Sequence, residues 1–170
     1  MALETVFSLA LLATLTKTAD LGAVPKDVLD FQKRVTLRTG TAAGQADKMW
    51  YDERTLVASA TEDLDLSGVL TDTFGTTFTL PRVKALIVAA AAGNANNVVV
   101  GNATSNAWAA LLGATGTVTV RPGTTVAVCA GAADATGYAV TAGTGDLLKV
   151  ANSAGGSSVT YQIVVIGASA

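Results

Sequence analysis

The sequence predicts a mainly β protein, with a jelly-roll-like β-sandwich over residues 40–170 and an N-terminal helical arm over residues 1–39. Apolar residues recur at every second position through most of the chain after residue 40, as they do in half-buried strands. Short runs rich in Gly, Asn, Ser and Thr separate these segments and predict turns. Half of the residues are hydrophobic and only 14% are charged, which excludes a disordered chain.

The first element of the arm is predicted to be a helix that docks on another subunit, and packing on its own domain is the alternative. Leu3, Val6, Phe7 and Leu11 recur at helical spacing and would form one apolar stripe. The flanking leucines fall outside that stripe, so the helix would be apolar on more than one face and would need a cover. We therefore expect these four residues to form the docking surface of the arm.

A second short helix is expected to complete the arm. Gly22 would end the first helix, and Pro25 suits the first position of the next, which would reach about residue 34. The segment GTAAGQAD at residues 40–47 has the composition of a loop and marks the boundary to the body.

The body is expected to contain roughly eight to ten short strands. The segment 83–91 is apolar on both faces, which predicts a central strand. Pro122 and Gly123 predict a turn that joins 117–121 and 124–129 as a hairpin. The remaining predicted strands lie at 74–80, 138–141, 146–151 and 158–166.

Charge is concentrated in the first half of the chain. Residues 1–84 contain nine Lys or Arg and eleven Asp or Glu, whereas residues 85–170 contain two of each class. A surface with so few charges is covered either by neutral polar side chains or by neighbouring subunits. Both interpretations remain open from the residues alone.

The composition excludes several classes of function. The absence of His excludes the His-dependent nucleophilic triads and most catalytic zinc sites. A net charge of −2 and a pI near 4.9 give no basic surface for nucleic acid. The single cysteine, Cys129, has no partner for an internal disulfide, and we expect it to be a small buried apolar residue. We expect no catalysis, no cofactor and no metal site.

The acidic residues do not predict a catalytic or metal site. Glu62, Asp63 and Asp65 alternate with leucines, so they are expected to lie on the solvent-exposed face of a strand rather than to enclose a cation. Asp52 and Glu53 are adjacent, so a strand would direct them to opposite faces and away from any shared glycosidic bond.

Two further patterns have structural interpretations. The Gly-rich segments GNANNVVVGN and AGTGDLL lack the phosphate-loop pattern and are expected to be hairpin loops. Trp108 lies near several Asn and Thr residues and could be a sugar platform, but a single Trp in a sandwich is more often a core residue.

The N-terminus is not expected to be a targeting or membrane segment. Glu4 is the only charge before the apolar run, whereas a signal peptide carries Lys or Arg there. The longest apolar run elsewhere, 83–92, is shorter than a membrane span and contains Lys84.

From Gly40 to the C-terminus the sequence resembles a family of small structural proteins encoded in the morphogenesis clusters of tailed bacteriophages. The segments GQADKMWYDERTL, EDLDLSG and TAGTGDLLKVANS carry the resemblance most specifically. It implies a virion component without enzymatic activity, and within that class we predict a capsid decoration, or cement, protein. Such proteins commonly have a β-sandwich or jelly-roll body and bind where capsomers meet.

The predicted partners follow from this resemblance. They are the major capsid protein and further copies of the same chain, most simply as a homotrimer, with no nucleic acid and no membrane. The protein would assemble in the bacterial cytoplasm and reside on the capsid exterior. A phage tail or fibre component and a carbohydrate-binding β-sandwich module remain alternatives.

Overall fold

A computed structural model describes residues 2–170, and within that range the chain forms twelve β-strands and no α-helix. The strands are β1 (Thr5–Thr16), β2 (Lys26–Thr39), β3 (Gln45–Ala46), β4 (Lys48–Leu56), β5 (Thr61–Asp65), β6 (Arg82–Ala90), β7 (Val98–Gly101), β8 (Thr117–Val120), β9 (Thr125–Cys129), β10 (Tyr138–Ala139), β11 (Leu147–Asn152) and β12 (Val159–Ala168). The prediction of a mainly β protein is confirmed.

Nine of these strands form the two sheets of the body. The five-stranded sheet has the order β4-β12-β6, with β9 and β10 both paired to the far edge of β6. The four-stranded sheet has the order β5-β11-β7-β8. Every pair within these sheets is antiparallel. The two inner faces share one large apolar core.

Alternation along the strands builds that core, as the sequence predicts. Tyr161, Ile163 and Val165 of β12 and Leu148 and Val150 of β11 are all at most 2% exposed. The predicted central strand is confirmed as β6, which has partners on both edges and is buried on both faces over most of its length.

One polar cluster joins the two sheets at their β4 and β5 edges. The Glu62 carboxylate accepts a hydrogen bond from the Tyr161 hydroxyl at 2.8 Å and contacts the Arg54 guanidinium at 2.6 Å. Burial, followed by the hydrogen bond to Glu62, raises the pKa of Tyr161. The expectation that Glu62 lies on the solvent-facing side is therefore wrong, because Glu62 shares the inner face with Leu64. Of the three acidic residues of β5, only Asp63 is exposed, whereas Glu62 and Asp65 are half-buried.

The predicted hairpin around Pro122 and Gly123 is also wrong. The turn itself exists, because the Thr124 N–H donates to the Arg121 carbonyl at 2.9 Å and Gly123 adopts a φ of 75°. The strands that it joins, however, lie in different sheets, since β8 pairs with β7 and β9 pairs with β6. A turn signal predicts a change of direction, but it does not choose the partner of either strand.

The predicted strand at 74–80 is a loop. The Asp72 carboxylate accepts hydrogen bonds from the N–H groups of Phe74 and Thr76 and folds the backbone back on itself. Phe78 and Leu80 enter the core, whereas Phe74 is 72% exposed. Capture of the backbone by an Asp side chain thus overrides the alternating pattern here.

The predicted helical arm is instead a long β-hairpin. β1 and β2 pair in one unbroken antiparallel register from Thr5 opposite Leu37 to Thr16 opposite Lys26. Gly22 lies in the tip, where it follows Leu21 and both adopt a left-handed φ, at 74° and 60°. Pro25 does not begin a helix, since its carbonyl accepts a bond from the Lys17 N–H across the hairpin.

Candidate docking surface

The register of the hairpin separates its side chains into an apolar face and a mixed face. Directly opposite residues of antiparallel strands share a face, so all odd-numbered positions of β1 and β2 lie together. We call this side the arm face. It consists of the apolar residues Phe7, Leu9, Leu11, Ala13, Leu15, Leu29, Phe31, Val35 and Leu37, interrupted by Thr5, Asp27 and Lys33.

The opposite side of the hairpin is far more polar. Its residues are Val6, Ser8, Ala10, Leu12, Thr14 and Thr16 from β1 and Lys26, Val28, Asp30, Gln32, Arg34 and Thr36 from β2. This contrast makes the arm an amphipathic ribbon, which is the pattern of a two-stranded element that lies against another surface.

The root of the arm is fixed to the body. Leu37 is 1% exposed and packs with Ala46, Ala85 and Ile166 on the outer face of the five-stranded sheet. The Leu3 N–H donates to the Thr39 hydroxyl at 2.8 Å, and that hydroxyl donates back to the Leu3 carbonyl at 2.6 Å. The arm therefore leaves the body from a defined position.

Beyond the root, nothing in the described part of the chain covers the arm face. Leu9, Leu11 and Leu15 of β1 are 53%, 54% and 73% exposed, and Leu29 and Phe31 of β2 are 53% and 42% exposed. A strand of twelve residues is roughly 40 Å long, so the arm extends well past its root. A two-stranded ribbon is only marginally stable alone, and we therefore expect a partner to cover this face.

The four residues predicted to dock do not form one stripe. Phe7 and Leu11 lie on the arm face, whereas Val6 lies on the opposite face. Leu3 precedes β1 and packs half-buried against the root. A helix would bring these residues together on one side, but in a strand successive side chains alternate between two faces and so separate Val6 from Phe7. The additional arm-face leucines, Leu9 and Leu15, were missed for the same reason.

The outer face of the five-stranded sheet also exposes large apolar side chains. Tyr51 and Met49 of β4 lie opposite Val164 and Ile166 of β12, on the outer face that receives the root of the arm. Both are exposed, at 53% and 42%. Sequence analysis did not single them out. A surface cleft beside the root has a mixed lining, in which Leu3, Met49 and Phe74 lie with the charged residues Asp47, Lys48 and Asp72.

The acidic residues singled out in the sequence make local contacts with neighbouring side chains and turns. Asp52 lies 3.1 Å from the Arg54 Nε, whereas the neighbouring Glu53 accepts a bond from Gln162 at 2.8 Å on the outer face. Their divergence is confirmed. Asp65 accepts a bond from the Ser67 N–H within its own turn. Among residues 2–170, no three Cys, Asp or Glu side chains lie close enough together to hold a metal ion.

Trp108 is a core residue rather than a sugar platform. Its side chain is 5% exposed, and its indole N–H donates to the Ala139 carbonyl at 2.8 Å. Its ring and the ring of Tyr138 pack in a T-shaped arrangement, with their centroids 6.4 Å apart. The nearby polar loop residues Asn102 and Asn106 therefore have no exposed ring of Trp108 on which a sugar could stack.

Cys129 is half-buried rather than fully buried, and it packs beside the root of the arm. Burial raises the pKa of its thiol, so less of the reactive thiolate is present than in an exposed cysteine. We expect a thiol reagent at pH 8 to modify the native protein at least about tenfold more slowly than the unfolded chain. Stopped-flow measurement in buffer and in denaturant checks this, and equal rates would contradict it.

Comparison with known proteins gives no relative: the sequence matches no family model and no curated protein, and the fold matches no solved structure. Within the described residues, no helix is long and apolar enough to cross a membrane.

Proposed function

We propose that the protein is a structural component of a tailed-phage virion that decorates the capsid exterior and stabilises it by binding between capsomers, without catalysis. The observation that carries the proposal is the uncovered arm face. A rigidly rooted apolar ribbon is suited to lie against a large protein surface, and the major capsid protein provides such a surface.

The topology of the body supports a jelly roll, a fold frequent in viral capsid domains. Apart from the two-residue strand β10, eight strands of the body follow one another along the chain, as β4, β5, β6, β7, β8, β9, β11 and β12. Numbered one to eight along the chain, they have the spatial order 1-8-3-6 in one sheet, which is β4-β12-β6-β9. The order in the other sheet is 2-7-4-5, which is β5-β11-β7-β8. A double Greek-key jelly roll has the same strand order, which supports that proposal for the body.

The energetics are consistent with attachment through several arms. Full burial of a large apolar side chain contributes about 1.5–3 kcal/mol. Five half-exposed arm-face residues would thus contribute roughly 4–8 kcal/mol per arm before the costs of docking. In a homotrimer, three such arms act together, and individually weak contacts sum to firm attachment.

Two neighbouring residues of β2 provide a matched test of the arm face. Leu29 lies on the arm face and Val28 on the opposite face, and they are similarly exposed, at 53% and 58%. We expect Leu29→Asp to weaken binding to undecorated capsids about 100-fold, because a charge would enter an apolar contact. Val28→Asp should change binding less than about threefold.

Binding is measured by co-sedimentation with the capsids, with electron microscopy to locate the protein. Equal effects of the two substitutions would contradict docking through the arm face. Wild-type protein found on tails rather than on heads would identify a tail component instead.

A further inference from the structure

The hydrogen-bond pattern of the arm determines which backbone groups remain unpaired. At the tip, the N–H groups of Lys17 and Ala19 donate to the carbonyls of Pro25 and Ala23, which are the residues directly opposite. Bonded and non-bonded pairs alternate along an antiparallel ladder. The odd positions of β1 therefore bond to β2, and the N–H and C=O groups of Val6, Ser8, Ala10, Leu12, Thr14 and Thr16 point away from the hairpin.

This outer edge of β1 pairs with no other strand in the described chain, because β1 ends its sheet. Its twelve residues, TVFSLALLATLT, include no charge. Natural sheets usually protect a long edge with charged residues, proline or a bulge, and an unprotected edge is a template for another strand.

The other edges are protected or short. β2 carries six charged residues, β4 carries four and β5 carries three. The uncharged edge strands β8 and β9 have only four and five residues. Among the described strands, β1 is thus the long edge suited to receive a partner strand.

We propose that β1 of one copy pairs antiparallel with β1 of a second copy, edge to edge across a two-fold axis, so that two arms form one four-stranded ribbon. The absence of charge means that self-pairing brings no like charges together in any register. The arm faces of the two copies lie on the same side when even-numbered residues of one β1 oppose even-numbered residues of the other. A two-fold axis that passes through Ala10, or through Leu11, gives such a register. Either register overlaps nearly the whole strand.

This pairing is compatible with docking through the arm face. A two-fold axis perpendicular to the ribbon keeps both arm faces on the same side, so the joined arms present a doubled apolar surface. Neighbouring copies on a shell would then be linked to one another as well as to the shell. The pairing goes beyond the proposed function and does not depend on it, since purified protein alone is sufficient to test it.

Ala10 and Gln32 provide a matched pair of substitutions. They lie directly opposite each other, and each directs its N–H away from the hairpin, Ala10 on the β1 edge and Gln32 on the β2 edge. Proline at either position removes one outward donor without removing a bond within the hairpin. Ala10→Lys and Gln32→Lys form a second pair that keeps the backbone donor and instead places a charge on one edge.

Sedimentation equilibrium of the purified full chain measures the association. We expect the wild-type mass to double with concentration below about 1 mM, and Ala10→Pro and Ala10→Lys to raise the dissociation constant at least about tenfold. Gln32→Pro and Gln32→Lys should associate as the wild type does. Circular dichroism and thermal unfolding verify that each variant is folded, and where a proline variant is not, the lysine pair decides.

Three results would overturn the proposal. The first is a wild-type mass that does not change with concentration. The second is equal weakening by substitutions on the two edges. The third is an Ala10 substitution that leaves self-association intact and weakens only capsid binding, which would show that the β1 edge receives a strand of the shell instead.

Discussion

Replacing residues 8–34 with Asn-Gly is expected to abolish both capsid binding and the pairing of arms through β1, while leaving the β-sandwich folded. The replacement joins Phe7 to Val35, a bonded pair of the register, through the two residues that a tight hairpin favours. It keeps the root contacts of Leu3 and Leu37 and removes the uncovered part of the arm. The body should remain stable, because its core lies between the two sheets and includes no residue before Trp50.

Far-UV circular dichroism and thermal unfolding test the first half of this expectation, and capsid co-sedimentation tests the second. A cooperative transition within about 5 °C of the wild type is expected, which corresponds to a change of one or two kcal/mol. Loss of cooperative unfolding would show that the arm is part of the folding unit and that the boundary near Gly40 is wrong. Undiminished capsid binding would contradict the role of the arm.

Trp108→Ala is expected to lower the free energy of unfolding by about 3–5 kcal/mol, and the melting temperature by roughly 6–20 °C. The substitution removes a large buried ring that packs against Tyr138, and it leaves the Ala139 carbonyl without its indole donor. Chemical denaturation gives the free energy directly.

Phe74→Ala is the control, because it removes an aromatic ring of comparable size that is 72% exposed. We expect its effect on unfolding to stay within about 0.5 kcal/mol. Similar effects for the two variants would show that Trp108 does not belong to the core. It would then again be a candidate platform for a sugar.

The strands of the body were predictable because burial on one face leaves a period of two in the sequence. The segments 83–91, 146–151 and 158–166 correspond closely to β6, β11 and β12. Strand partners were not predictable, because pairing is decided by contacts that are distant in the chain. The turn at Pro122 shows this, since it connects two sheets rather than two neighbours.

The arm was predicted to be a docking element, but its secondary structure was predicted wrongly as helical instead of as a β-hairpin. Apolar residues are so dense between Val6 and Leu15 that helical and strand periods both fit. Leu9, which did not fit the helical stripe, fits the alternation of Phe7, Leu9 and Leu11. Leu29 and Phe31, on the other side of Gly22, also lie two positions apart. Two such alternating segments on either side of a turn are typical of a hairpin. Glu62 was predicted on the solvent-facing side of its strand but lies on the inner side. The sequence could not show this, because its partners, Arg54 and Tyr161, come from other strands.

The position of β12 in the five-stranded sheet makes folding of the body depend on the last of its strands. β12 is the last strand along this chain, and it lies between β4 and β6, so that Trp50 pairs with a residue as distant as Val165. While a ribosome is still translating the preceding residues, β4 and β6 each present an open edge. Chains released before Val159 therefore lack the strand that joins them, and we expect proteases to degrade these fragments. Under this order, only chains that contain β12 would persist in the folded form.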